Sequence, residues 1–180
     1  MSEFFKTYPH NPPHLFIDGA VYFITGGILQ KQHILQHDIH KQIVLDVVEK
    51  WFNHFGWQIN AWIILSNHYH LMAKAKIAKD MPTIIARVHG ASATQINRHD
   101  GTPGRDVWWN YWDTCIRAEH DFNLRLNYIY WNAVKHGIVN HPEDYIWSSF
   151  MTINQQENNR SGLGVKLPNN LLLPDNFDDF

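Results

Sequence analysis

Cysteine is almost missing from this chain: Cys115 is the one thiol among 180 residues. No disulfide framework can be built from it, so a reducing, cytoplasmic setting is expected. Long apolar runs are missing as well. None approaches the ~18–20 residues that a membrane span requires, and the first residues, Met1 to Lys6, lack the basic-then-apolar order of a leader. Charge of one sign is also lacking. A net charge of −2 excludes a simple polycationic nucleic-acid binder. The basic residues are unevenly spread, however: positions 60–135 hold nine Lys/Arg against six acids. A charged fraction of 18% and aromatics at 14% argue against intrinsic disorder. What the chain has in excess is 13 His and 8 Trp.

Three segments follow from composition. Residues 1–18 carry Pro9, Pro12 and Pro13 with no clean period and read as an irregular arm. Residues 19–150 hold the periodic elements, and residues 151–180 read as a C-terminal extension. Within the middle segment, strands are expected at 19–29, 57–65, 68–76 and 107–117, with Ser66-Asn67 turning a hairpin. Helices are expected at 38–55, 81–98 and 121–136, the first two ending at Gly56 and before the Asp100–Gly104 loop. The order β-α-β-β-α-β-α matches an α+β, ferredoxin-like split βαβ: an antiparallel four-stranded sheet with helices on one face and an added C-terminal helix.

His68 and His70 flank Tyr69 on the expected third strand. Residues at i and i+2 leave one sheet face ~6–7 Å apart, a span that one metal ion bridges. Two ordinary surface histidines would show the same spacing. On the last helix, Tyr128 and Asn132 are four residues apart and share a face, with His136 one turn further. Imidazole nitrogens suit Mn²⁺ and other transition ions, and an amide oxygen accepts a harder ion. A phenol beside such a site is a nucleophile candidate; as an amphipathic core residue Tyr128 would need no such role. Tyr69 points to the opposite sheet face, and Tyr130 lies ~200° around the helix from Tyr128. Of Trp108, Trp109, Tyr111 and Trp112, at most two can face outward to stack bases, and Trp108 and Trp109 point to opposite faces of a regular strand.

The stretch Leu65-Ser66-Asn67-His68-Tyr69-His70-Leu71-Met72 resembles the His-hydrophobic-His core of the HUH endonuclease superfamily. Residues 128–137 (YIYWNAVKHG), followed by Pro142-Glu143-Asp144-Tyr145 and Trp147-Ser148-Ser149, resemble the C-terminal signature of REP-associated tyrosine transposases. The resemblance spans about residues 19–150. It implies a single-tyrosine transposase-like nuclease acting on single-stranded DNA folded into hairpins. His68 and His70 then fall on metal ligands, Asn132 on a third ligand borne by the catalytic helix, and Tyr128 on the nucleophile that forms a 5′-phosphotyrosine link. The cofactor implied is Mg²⁺ or Mn²⁺, and the assembly a monomer or homodimer. Ala133 stands where this family usually has Pro, and Tyr69 is a polar-tipped middle residue.

Arg117, Arg125 and Lys135, with Trp108 and Trp109, are the expected DNA contacts. Two rival readings remain: a hairpin-DNA-binding relative that no longer cleaves, and a metal-dependent phosphodiesterase in which water attacks and Tyr128 is structural.

Overall fold

The centre of the molecule is the strand Val21–Ile28 (β3), whose β-branched and aromatic residues let it be buried on both faces. In the computed structural model, which describes residues 5–8 and 11–151, it follows two short strands, β1 (Phe5–Tyr8) and β2 (Asn11–Leu15). Then come helix α1 (Asp38–His54), strands β4 (Gln58–Ile64) and β5 (His68–Lys74), helix α2 (Met81–Asp100), strand β6 (Trp108–Ile116) and helix α3 (Glu119–Lys135). The sheet order is β4-β5-β3-β6 and every pairing is antiparallel, which is the ferredoxin-like arrangement expected.

Helix α1 buries Val44, Val47, Val48 and Phe52, an i, i+3, i+4, i+8 stripe. Helix α2 carries Pro82 in its first turn and buries Ile84, Ile85, Val88 and Ile96. Both pack on one face of the sheet, against Tyr22, Ile24, Tyr69, Leu71 and Ala73. Helix α3 packs on the other face, against Phe23, Ala61, Ile63 and Met72, with Tyr145 and Phe150 completing that layer. The alternation along β5 therefore sends Tyr69 toward α1 and α2, while His68 and His70 face α3.

The Trp147-Ser148-Ser149 stretch seals the β4 edge: the Ile64 amide donates to the Trp147 carbonyl, and the Ser149 amide to that of Trp62. Tyr145 donates its hydroxyl to the Ile64 carbonyl at 2.8 Å. An otherwise open strand edge is thereby paired.

Two expectations need correction or restriction. The arm at 1–18 is not irregular throughout, because β1 and β2 form an antiparallel hairpin. Pro12 and Pro13 fit it because they fall between the paired positions Asn11 and His14, where the register shifts and no ladder donor is needed. The extension expected from residue 151 lies, beyond Met151, outside the described residues. Among the described residues, no helix is long and apolar enough to cross a membrane.

The α1/α2 face holds a polar triplet inside an apolar layer. His89 stacks flat on Trp108, with centroids 4.4 Å apart, and its Nε2 lies 3.0 Å from the Tyr69 hydroxyl. Burial lowers the His89 pKa from 6.5 to about 3, so the folded chain keeps it neutral. Between those values the unfolded chain takes up a proton that the folded chain refuses. Stability from this group is complete above pH 6.5 and falls by up to ~1.4 kcal/mol per unit as pH drops toward 3. Urea midpoints measured from pH 7 to 4 should fall more steeply for the wild type than for His89→Gln. Parallel slopes would refute the assignment.

Candidate active site on the α3 face

Strand register assembles the site. Thr25 on β3 pairs with His70 on one side and Trp112 on the other, and Gly27 pairs with His68 and Asn110. These two adjacent rows share the face that α3 covers. The His68 and His70 rings lie 4.8 Å apart. Each is oriented through Nδ1. His68 Nδ1 is 2.7 Å from Asn67 Oδ1, and His70 Nδ1 is 2.8 Å from Thr25 Oγ1. The Asn67 orientation is set by its amide nitrogen, which donates to the Lys31 carbonyl at 3.4 Å. Oδ1 is thus an acceptor, and His68 carries its proton on Nδ1. In both rings Nδ1 is engaged, which leaves Nε2 as the nitrogen to offer to a ligand; the His68 pattern, with Nδ1 donating to an amide oxygen, is like that of metal-binding histidines.

Helix α3 brings the second group. Tyr128 is fully buried, its ring 5.2 Å from that of His70 and 6.0 Å from that of Phe23. One turn on, Asn132 is also fully buried, and neither atom of its side-chain amide has a hydrogen-bond partner among the described residues. Another turn on, His136 lies with its ring 5.6 Å from His68. Along the chain, Asn132 thus falls midway between Tyr128, which meets His70, and His136, which meets His68. Two imidazoles and an orphaned buried amide fit a divalent cation, since an amide is otherwise costly to bury unpaired.

The remaining expected residues divide. Arg125 holds its guanidinium 4.9 Å over the Phe23 ring, which stacks on His70 at 5.3 Å. The Lys135 ammonium stands 5.1 Å over the Tyr128 ring. Both basic groups are thus at the site, held by cation–π contact. Arg117 is not. It follows β6 at the Val21–Ile116 end of the sheet, six register positions and about 20 Å from Gly27. Trp108 is also removed: it faces α2, stacked on His89 and donating its indole N–H to Ser92 Oγ at 2.9 Å. Trp109 is the residue that turns outward, 65% exposed. Tyr130 packs on Phe150 at 5.1 Å.

The sequence marks Asn67 only as a turn residue, and it does not mark Thr25, Phe23 or Asn110 for the site. Their placement comes from strand pairing and a turn, and no spacing rule in one sequence marks them. Beside His68, a cavity of about 300 Å³ opens between Lys31, His33, Ser66, Asn67, His136 and Ile138. Lys31 in its wall and the preceding Gln30 hold φ of 54° and 55°, a region that costs non-glycine residues ~1–3 kcal/mol each.

Comparisons with known proteins bear on the family and the fold. A REP-associated tyrosine transposase of Escherichia coli K12 is 26% identical over 139 residues, covering 75% of this chain and 79% of the relative. A second relative, from Haemophilus influenzae, is also 26% identical, over 152 residues that cover 82% of its length. In fold, the chain is similar to a solved REP-associated tyrosine transposase bound to a REP hairpin, with a TM-score of 0.65 at 24% identity over 91% of this chain and 88% of that one. The family profile described as Transposase IS200 like matches residues 22–114, just over half of the sequence, and this chain belongs to that family.

Proposed function

We propose that this protein is a metal-dependent endonuclease and strand transferase that acts on single-stranded DNA at a hairpin, with Tyr128 as nucleophile. The observation that supports it most is the meeting of His68 and His70 from β5 with Tyr128 from α3, one turn before Asn132, whose buried amide has no hydrogen-bond partner among the described residues. The hairpin-bound relative of the same fold supports the substrate class.

His68 Nε2, His70 Nε2 and the Asn132 amide oxygen are the atoms that would hold a divalent cation, Mg²⁺ or Mn²⁺. When bound, the ion polarises the scissile phosphodiester and stabilises the charge that develops on it. Thr25 and Asn67 orient the imidazoles. Tyr128 Oη attacks phosphorus, the bond from phosphorus to the 3′ oxygen breaks, and the products are a 5′-phosphotyrosine and a strand ending in 3′-OH. The phenol gives up its proton, and the departing 3′ oxygen gains one. Because Tyr128 is fully buried, the strand reaches it only when the Lys135 side chain or α3 moves aside. Arg125 and Lys135 supply positive charge at the site.

Burial of Tyr128 is also the observation that favours the water-attack reading, in which the phenol only packs. One experiment separates the readings. An end-labelled single strand carrying a short hairpin and an unpaired flank is incubated with the protein and Mn²⁺ or Mg²⁺, then run on a denaturing gel. A metal-dependent band at the size of a protein–DNA adduct is expected. Cleavage with no adduct would favour water attack, and binding with no cleavage would favour a non-cleaving binder. At one fixed salt concentration, the hairpin strand should bind more tightly than fully paired duplex.

The two adjacent tryptophans give a sharper test of the DNA path. Trp109→Ala should weaken single-strand binding by ~1–3 kcal/mol, the size of one lost base stack, with little change in stability. Trp108→Ala should do the reverse, because its ring belongs to the α2 layer. Fluorescence anisotropy and urea melts on both variants read the two effects.

A further inference from the structure

A second cluster of ligand atoms lies on the opposite, α1/α2 side of the sheet, away from the candidate active site. His40 from the first turn of α1 meets His99 and Asp100 from the last turn of α2, and one ligand atom from each lies within 4.8 Å of the others. His40 Nε2 is 2.7 Å from Asp100 Oδ1, and His99 Nδ1 is 3.1 Å from the same oxygen. Asp100 Oδ2 is separately engaged by Arg105 Nη2 at 2.7 Å. One carboxylate oxygen therefore serves two imidazoles. His40 is oriented from behind, since its Nδ1 lies 2.7 Å from the Ile34 carbonyl. A backbone carbonyl in that position is the usual support for a metal-binding imidazole.

We propose that His40 Nε2, His99 Nδ1 and Asp100 Oδ1 form a site for a late first-row divalent cation such as Zn²⁺. Two nitrogens and one carboxylate oxygen suit zinc better than Mg²⁺ or Mn²⁺. Ligand bonds of ~2.0–2.1 Å in a tetrahedron place donor atoms about 3.3 Å apart. The observed 2.7 and 3.1 Å spacings thus need to open by about 0.6 and 0.2 Å, with the two imidazole nitrogens already within 4.8 Å of each other. Side-chain exposure rises from 3% at His40 through 20% at Asp100 to 51% at His99, which leaves one side open for a water as fourth ligand.

The ion would tie the start of α1 to the end of α2. Ile34, which supports His40, precedes Leu35, whose amide donates to the Ser66 carbonyl in the turn before His68. The clip therefore also braces the turn that positions His68.

The test uses the full chain, stripped of metal with a chelator and titrated with ZnCl₂ by calorimetry, beside His99→Ala. His99 is half-exposed, so its truncation leaves the core untouched. The wild type should bind one more equivalent of Zn²⁺ than the variant, and Zn²⁺ should raise its melting temperature further. Equal stoichiometry in the two proteins overturns the site. A wild-type measurement guards against a misfolded variant: histidine side-chain ¹⁵N spectra should show His40 Nε2 and His99 Nδ1 shifting on Zn²⁺ addition. Rings that stay unshifted while Zn²⁺ binds elsewhere also overturn it.

Discussion

Tyr128→Phe is expected to remove the covalent DNA adduct and strand cleavage together, by at least ~10³-fold, the order seen when a nucleophile is deleted. The change takes away one oxygen and leaves the ring that packs against His70 and Phe23 under the Lys135 ammonium. The fold and most hairpin binding should survive, so urea midpoints close to wild type are the control. Tyr130→Phe should stay active, because Tyr130 packs on Phe150 on another side of α3. If Tyr128→Phe still forms the adduct and Tyr130→Phe does not, the nucleophile has been misassigned. If both variants cleave at the wild-type rate with no adduct, water is the attacking group. In parallel, His68→Ala with His70→Ala should end metal-dependent cleavage, since two of the three proposed ligands are gone.

The second large effect is on stability. Gly26→Ala should destabilise the chain by about 3 kcal/mol, the upper end of the ordinary cost of overpacking a core. A Cβ on Gly26 would come within 2.3–2.6 Å of the Tyr69 ring and hydroxyl. That ring cannot swing away freely. It is fully buried, its edge meets Trp108 at 5.4 Å, and its hydroxyl lies against His89. Gly26 is paired on both sides, with Tyr69 on β5 and Tyr111 on β6, so the backbone cannot yield either. Chemical denaturation of Gly26→Ala and of the double variant Gly26→Ala/Tyr69→Leu would check the cause: part of the loss should be recovered when the aromatic ring is removed. A Gly26→Ala chain as stable as wild type would rule out the close approach.

Much of the architecture was legible before any tertiary contact was known. The apolar stripes of α1 and α2, the Ser66-Asn67 turn and the β-α-β-β-α-β-α order are local patterns, set by the 3.6- and 2-residue periods of the backbone. The same periods place His68 and His70 on one strand face and Tyr128 and Asn132 on one helix face. The hairpin β1–β2 was not legible, because Pro12 and Pro13 argue against a strand until the register shift that accommodates them is seen.

Sequence by itself thus determined which residues share an element and a face. Tertiary structure alone decided which faces meet and at which end of the sheet. Register put Thr25 beside His70 and put Arg117 beyond the Val21–Ile116 pair at the other end of the sheet, about 20 Å from the Gly27 row. A shift between Gly27 and Ile28 makes Trp109 the extra residue of β6, so Trp108 and Trp112, which simple alternation would place together, face opposite sides. The meeting of His40 with His99 and Asp100 depends on how α1 lies along α2. Each of these is a contact between residues distant in the chain. Strand pairing and helix packing select it from many alternatives that leave the local periodicity unchanged.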